Sequence, residues 1–483
     1  MKNTTNLSVL LFSLVLSACH SEAQPTEKTK PNILLMVADD MGYADLNCYG
    51  GLSNTPHLNQ LAKEGIRLTN FYAAASNCSP SRAGLLTGKS PARLGMYSYR
   101  PQGHPMHLRT SEVTIAEALQ EENYQTAHIG KWHLGCLPQD TAFHHPQPHD
   151  QGFSYSLGTE NNAQPSHLNP VNFVRNGEQL DAQEGYSCNI LANEALSWFE
   201  QQWNQEDPFF MYMAFHEPHA KIASPPELVE KYKSHGERDA EYLANIENLD
   251  LAVGKVVDYL RAQGLLDNTL LIFSSDNGSY RQASNGQLRA VKSYLYEGGI
   301  RVPGIIRWPE LIQGGQEVHE AAGFVDVLPT LADLLNLKSL DTQNLDGTSI
   351  LPLLKGENFE RENPLYWFFY RTSPEIAMRI GDMMVMGKDK DTVARTHPFT
   401  MADMEYVKEV QLHEYELYQL TEDDAQYHNL AGRHPEAEVY QQKLNNKLRK
   451  IKEEAYYWEK LPEAEGNRKP KTEWVKYKRI EEN

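Results

Sequence analysis

The sequence predicts an α/β fold, with a large doubly wound, mainly parallel sheet flanked by helices and a smaller C-terminal α+β subdomain holding an antiparallel sheet. Two observations carry this expectation. From Pro31 onward, short and almost wholly apolar runs alternate with helical stretches, the pattern of a parallel sheet covered on both faces. After about Leu354 the texture changes to closely spaced strand-like segments and one charged helix. A chain of 483 residues exceeds a minimal domain and suits one large domain with an appendage. The expected division is 1–19, 20–30, 31–355 and 356–483.

The elements follow in order. Asn32–Val37 (NILLMV) reads as a buried strand. Pro56 to Gly65 reads as a helix, with proline near its start and glycine after its end. Thr114–Glu121 is a second helix. Phe209–Phe215 (FFMYMAF) and Thr269–Ser274 (TLLIFS) read as buried strands, separated by a long helix across about Asp239–Gly264. Ile300–Arg307 reads as another strand, and Asp326–Leu335 as the helix closing this part. In the last part, Leu365–Tyr370 and Ile376–Met386 read as antiparallel strands and Glu416–Leu420 as another. Pro435–Glu453 is a charged helix, and a Lys/Glu-rich tail follows. No internal repeat is visible.

The N-terminus reads as a targeting segment. Lys2 precedes an apolar run from Leu7 to Leu16 and then Ser17-Ala18-Cys19. A run of about ten residues suits a signal peptide and is too short for a bilayer. Leu16–Cys19 resembles a bacterial lipobox, which implies a lipid on Cys19, a tether over residues 20–30, and an exported protein, periplasmic or anchored to the outer membrane. That lipid would be the sole membrane attachment, since no later stretch is long and apolar enough to span. The formal net charge of −19 argues against nucleic acid as a partner. It also means that any site for an anionic substrate must be locally basic.

Ligands of parallel sheets bind beyond the carboxyl ends of the strands. Asp39-Asp40 follows the first strand, His216-Glu217-Pro218-His219 follows Phe209–Phe215, and Asp276-Asn277-Gly278 follows Thr269–Ser274. Asp39, Asp40, Asp276 and Asn277 are all oxygen donors and suit a hard cation, calcium or magnesium, rather than zinc. Taken singly, Asp-Asp-Met-Gly and Asp-Asn-Gly are also ordinary turn sequences. Pro80 sits where a helix begins, which puts Cys78 at a helix N-terminus, the end that favours an anion.

Cys78-Ser-Pro-Ser-Arg82, followed by Leu86-Thr-Gly88, resembles the signature of the type I, formylglycine-dependent sulfatases of the alkaline phosphatase superfamily. The resemblance extends over about Pro31 to Leu430. Asn32–Tyr43 is similar to the family's opening strand and metal loop, and His128-Ile-Gly-Lys131-Trp-His133 to its Gly-Lys-Trp-His block. His219, Ser274–Gly278, and Lys292 before Tyr296-Glu-Gly-Gly-Ile-Arg301-Val-Pro follow in family order. Glu416–Leu420 with Asn429-Leu-Ala is similar to its closing strand.

The resemblance implies sulfate ester hydrolysis, on a carbohydrate such as a galactose or N-acetylgalactosamine sulfate of a polysaccharide or glycosaminoglycan. It implies that a separate maturation enzyme converts Cys78 to formylglycine, whose hydrate attacks sulfur and passes through a sulfo-enzyme. Asp39, Asp40, residue 78, Asp276 and Asn277 would bind calcium. Arg82 would orient the nucleophile, Lys131 and Lys292 would hold sulfate oxygens, His133 would act as the base that releases sulfate, and His219 as the acid for the leaving oxygen. The family gives His216 no catalytic role, so a structural one is expected. Of the five cysteines, Cys48, Cys136 and Cys188 then remain, so one disulfide at most is expected. Polar residues in the loops are candidate sugar contacts: Arg100, His104, His107, Glu160, Asn161, Glu217 and Arg281. Two other readings stay open on sequence: a phosphomonoester or phosphonate hydrolase of the same superfamily, and a non-catalytic glycan-binding lipoprotein.

Overall fold

The computed structural model describes Met1 and residues 30–136, 145–390 and 399–461. The expected signal peptide, Cys19, nearly all of the tether and the charged tail lie outside the described residues. Among the described residues, no helix is long and apolar enough to cross a membrane.

Eleven of the described strands form one sheet. They are β1 (Asn32–Ala38), β2 (Ile66–Tyr72), β3 (Gln125–Lys131), β4 (Tyr155–Thr159), β5 (Val174–Arg175), β6 (Glu178–Gln179), β7 (Phe209–Ala214), β8 (Thr269–Ser275), β9 (Arg301–Arg307), β10 (Gln316–Val318) and β11 (Ala322–Gly323). The order is β10-β2-β9-β8-β1-β7-β3-β4-β5-β6, with β11 also paired to β2. The central block β8-β1-β7-β3-β4 is parallel throughout. The strand expected at Ile300–Arg307 is β9, which runs antiparallel to both β8 and β2. A second, antiparallel sheet orders β12 (Leu365–Phe368), β13 (Ile376–Ile380), β14 (Met383–Lys388) and β15 (Glu414–Gln419).

Alternation within the apolar runs explains why they are continuous. Ile33, Leu35 and Val37 enter one core cluster, while Leu34, Met36 and Ala38 enter the cluster on the opposite face. Phe210 and Tyr212 of β7 likewise face away from Phe209, Met211 and Met213. Each fully buried aliphatic or aromatic side chain contributes about 1.5–3 kcal/mol, so both faces must be covered. Helices Ser187–Gln201 and Glu237–Ala262 cover one face through Leu191, Trp198, Ile246 and Val253. Helices Cys78–Thr87 and Val327–Leu335 cover the other through Leu85, Leu86, Leu328 and Leu331. The core under helices Cys78–Thr87 and Val327–Leu335 continues into β13, β14 and helix Ala437–Glu454, so the second sheet shares it.

The register positions the site. Val37 is paired with both Ala214 and Ser274, and Gly130 with Ala214. The segments leaving β1, β3, β7 and β8 therefore emerge at one edge. Gly130 has φ 121°, and a Cβ there would meet the Ala214 carbonyl oxygen at 1.9 Å. Only glycine permits this close approach, which delivers Lys131 and His133 to that edge.

Candidate active site

Helix Cys78–Thr87 starts from Asn77, whose extended backbone (φ −141°) turns the chain into the sheet edge. Pro80 lies in the first turn, where its missing N–H costs no hydrogen bond. Cys78 is the first helical residue and is only 2% exposed. Burial pushes its thiol up to about 12, against the pull of Lys131 and Lys292. A neutral thiol is a weak nucleophile and metal ligand, so the unmodified side chain is poorly suited to either task.

Three carboxylates and three cations surround it. Lys292 Nζ donates to Asp40 Oδ1 at 2.6 Å and to Cys78 Sγ at 3.1 Å. Lys131 Nζ donates to Asp39 Oδ2 at 2.7 Å and to Asn162 Oδ1 at 3.4 Å. Arg82 grips Asp276 Oδ2 through Nε (2.9 Å) and a terminal nitrogen (2.7 Å), with Asp39 at 3.8 Å. Burial pushes the Asp39 carboxyl up, but Lys131, His219, Arg82 and Lys292 outweigh it and hold it well below the usual range. Burial, with Asp39 beside it, pushes Asp276 up to about 6 despite Arg82. Burial also opposes the charge on Lys292, but Asp40 and its neighbours hold the ammonium well above its ordinary value. In a strongly acidic chain, this cluster matches its three carboxylates with three cations.

Ligand atoms of Asp39, Asp40, Cys78 and His219 lie within 4.8 Å of one another. Asp39 Oδ1 and Asn277 Oδ1 are buried beside them without hydrogen-bond partners. Buried oxygen atoms are ordinarily paired, so these two fit a hard cation that accepts them as ligands. Asn277 Nδ2 donates to Asp40 Oδ1 at 2.7 Å. The two oxygens of Asp276 accept from the Asp40 N–H (3.1 Å) and from Arg82.

The three histidines are held differently. His133 has a left-handed backbone (φ 57°), and its Nε2 donates to the Arg100 carbonyl at 2.8 Å. Its Nδ1 is buried and unpartnered, so this atom carries a free lone pair. Burial, with Lys131 nearby, holds His133 well below its ordinary value and therefore neutral. His219 donates from Nδ1 to the Ala220 carbonyl at 2.6 Å and turns Nε2 toward Asp40 Oδ2 at 3.5 Å. His216 is fully buried, with Nε2 at 2.8 Å from Thr159 Oγ1 and its ring edge-on to Phe173, a packing position.

Most of the expected sugar contacts are engaged within the protein. Arg100 is fully buried and uses its guanidinium on the carbonyls of Met106, Gly135 and His104 and on Glu160 Oε1 at 2.6 Å. It and Glu160 brace the loop whose carbonyl orients His133. Glu217, also fully buried, accepts from the Ser187 hydroxyl and the Cys188 N–H. His104 is spent on the Phe399 carbonyl at 2.8 Å. His107 packs against His145 and Trp458 with tilted rings, centroids at 4.7 and 4.9 Å. Arg281 pairs with Asp239 and lies over the Tyr242 ring at 4.2 Å. Asn161 is half-buried, with an unpartnered Oδ1 and a carbonyl that accepts from Thr159 Oγ1. Sequence reasoning missed Ser79, whose Oγ accepts the Arg100 N–H at 3.1 Å, and Ser293, whose Oγ accepts from Asn77 at 2.8 Å. Ser79 lies within the Cys78–Arg82 segment and Ser293 directly follows Lys292, and that adjacency is the signal that could have found them. The described cysteines Cys48, Cys78, Cys136 and Cys188 are all free thiols.

A family model described as Sulfatase matches residues 31–337, and one described as N-sulphoglucosamine sulphohydrolase, C-terminal, matches residues 290–454. The chain is 36% identical to arylsulfatase A of Homo sapiens over 451 residues, covering 87% of this chain and 86% of that one. It is 33% identical to N-acetylgalactosamine-6-sulfatase of Rattus norvegicus over 386 residues, covering 73% and 70%. The crystal structure of Ps i-CgsB in complex with k-i-k-neocarrahexaose is similar with a TM-score of 0.75 at 26% identity, over 89% of this chain and 94% of that one. With a family model over most of the chain and a relative at 36% identity, the chain belongs to the sulfatase family as a sulfuric ester hydrolase.

Proposed function

We propose that this sulfatase acts on a sulfated carbohydrate, a galactose or N-acetylgalactosamine sulfate, after a maturation enzyme has converted Cys78 to formylglycine. The observation that carries the reading is the surround of Cys78: a helix N-terminus, Lys292 at 3.1 Å, and an acidic cluster with two unpartnered oxygens. Support for a sugar comes from the N-acetylgalactosamine-6-sulfatase relative and from the structural neighbour that holds a neocarrahexaose. When present, the hydrated formylglycine and a calcium ion held by Asp39, Asp40, Asp276 and Asn277 supply the nucleophilic hydroxyl and the Lewis acidity.

The chain's own groups do the rest. Lys131 and Lys292 bind the sulfate oxygens and offset the charge that builds there. Arg82, fixed on Asp276, holds the nucleophile's side of the site rigid. His219 delivers a proton from Nε2 to the leaving sugar oxygen. His133 Nδ1, the free lone pair, takes up the proton whose loss releases sulfate from residue 78. The lipobox-like Leu16–Cys19 supports export and anchoring through a lipid on Cys19. Incubation with a panel of defined sulfated oligosaccharides, read by mass spectrometry, tests the reading. Desulfation of a galactose or N-acetylgalactosamine ester is expected, and activity confined to non-sugar esters would overturn it.

A further inference from the structure

Partly exposed residues of three segments lie near Lys292, which contacts Cys78: Tyr99, Lys292–Tyr294 and Arg371-Thr372. These segments are tied together. Thr372 Oγ1 donates to the Ser293 carbonyl at 2.7 Å. Ser293, with φ 74°, donates its N–H to the Ser76 carbonyl at 2.8 Å and accepts from Asn77 at its hydroxyl. Residue 371 is thereby fixed close to the loop that precedes Cys78 and to Lys292. On its other side, the Phe399 ring packs against both Tyr370 and Tyr97, with centroids at 4.8 and 5.1 Å, and the Phe399 carbonyl accepts from His104. These contacts hold Arg371 beside the loop that carries Tyr99 and Arg100.

Arg371 differs from the other guanidiniums of this region. Arg82 and Arg100 each grip a carboxylate. Arg371 is half-buried, yet among the described residues its guanidinium has neither a hydrogen bond nor an ion pair. Its electrostatic neighbours are the phenols of Tyr370, Tyr99 and Tyr294 and the carboxylate of Asp403. Asp403 is engaged in capping helix Met401–Glu409, where it accepts the Thr400 N–H (3.0 Å) and hydroxyl (2.7 Å). Burial outweighs these neighbours and holds Arg371 below its ordinary value. A partly desolvated cation with five unused donors is costly unless an anion completes it.

We propose that Arg371, flanked by Tyr99 and Tyr294, binds a second anionic group of the glycan, a sulfate or a uronate carboxylate, next to the ester being cleaved. A planar guanidinium matches either group through paired hydrogen bonds, and the tyrosine rings offer faces to the intervening sugar. The inference rests on the carbohydrate reading above and narrows it to glycans carrying two negative groups close together.

The test uses three oligosaccharides sharing one galactose or N-acetylgalactosamine sulfate. One has no other charge, one has a second sulfate on the adjoining residue, and one has an adjoining uronate. Steady-state kinetics and calorimetric binding are measured for the wild type, Arg371→Ala and Arg371→Lys. Within each variant, the ratio of kcat/KM on a doubly charged substrate to that on the singly charged one cancels differences in folded enzyme. Arg371→Ala should lower this ratio by about 10–100-fold, chiefly through KM, with partial recovery in Arg371→Lys. The oligosaccharide showing the drop identifies the second anion. Equal losses on all three, or no change in the ratio, overturn the inference. If none is turned over, the carbohydrate reading fails, and binding decides on Arg371. A Kd for a doubly charged glycan weakened by about 10–100-fold in Arg371→Ala then supports the anion subsite, and an unchanged Kd refutes it.

Discussion

Two buried ionic clusters, one at the edge of the large sheet and one around Glu416 in the four-stranded sheet, use similar side chains and end in opposite states. In the second, Glu416 accepts from Lys388 at 2.5 Å and from the hydroxyls of Tyr296 and Tyr418 at 2.9 Å each. Arg289 closes that network through the Tyr418 hydroxyl (3.0 Å) and the Gln426 carbonyl (2.9 Å). In the first, Asp39 Oδ1, Asn277 Oδ1 and His133 Nδ1 are buried with no hydrogen-bond partner among the described residues. Asp40, His133 and Ser293 also adopt left-handed backbones there. A network that only holds the fold satisfies its polar atoms, whereas one that must receive a cation and a substrate keeps atoms in reserve and tolerates strain. Changes at the first cluster should therefore cost turnover, and changes at the second should cost stability.

The largest effect is expected at residue 78. Cys78→Ala should lower turnover by on the order of 10⁴-fold or more, as loss of a nucleophile does, while the melting temperature stays within a few degrees. The corresponding peptide of active wild-type enzyme should be about 18 Da lighter than the cysteine form, the change from thiol to aldehyde. Full activity with only unmodified Cys78 would break the comparison at its centre.

Next come the two histidines. His219→Ala should cost about 10²–10⁴-fold on a sugar sulfate and clearly less on nitrophenyl sulfate, whose leaving group needs little proton donation. His133→Ala should slow the enzyme by a factor that depends little on the leaving group, because its proton moves after the alcohol has departed. Equal His219→Ala losses on both substrates would mean that the two roles are exchanged.

A smaller effect is expected from the cation. Adding calcium at 100 times its dissociation constant to chelator-treated protein should raise stability by about 2.7 kcal/mol, read as a higher melting temperature. Asp39→Ala should abolish that rise. A rise that survives in Asp39→Ala would place the ion elsewhere.

The smallest effect is expected at Glu416. Glu416→Gln should cost about 1–3 kcal/mol of stability, since it leaves Lys388 without its counter-charge, and turnover per folded molecule should stay near wild type. Burial pushes the Glu416 carboxyl up, but Lys388 and Arg289 outweigh it and hold it below its ordinary 4.5. Its contribution is therefore present above about 4.5 and lost as pH falls through the lower folded value. The gap in melting temperature between wild type and Glu416→Gln should narrow on acidification below that point. A gap that does not depend on pH would show that packing, rather than charge, sets the cost.

By itself, the sequence determined the centre of this protein. The runs NILLMV, FFMYMAF and TLLIFS are apolar at every position or nearly so because β1, β7 and β8 are buried on both faces, and that pattern needs no partner to be read. Cys78-Ser-Pro-Ser-Arg82 and the acidic pairs after the strands announced the family and its chemistry. The tertiary structure alone decided the rest. β3 (QTAHIGK) is buried although its residues other than Ile129 are small or polar, because it lies between β7 and β4 inside the sheet. β9 is antiparallel because of its pairing with β8 and β2, which its own residues do not encode. Arg100, Glu160 and Glu217 read as loop polarity, yet they are walled in as braces, whereas Arg371 is half-buried with neither a hydrogen bond nor an ion pair among the described residues. Periodicity and motif spacing are local and survive in a linear string. Whether a charged side chain ends in a closed network or facing a substrate depends on neighbours tens to hundreds of residues away, and only the folded chain brings those together.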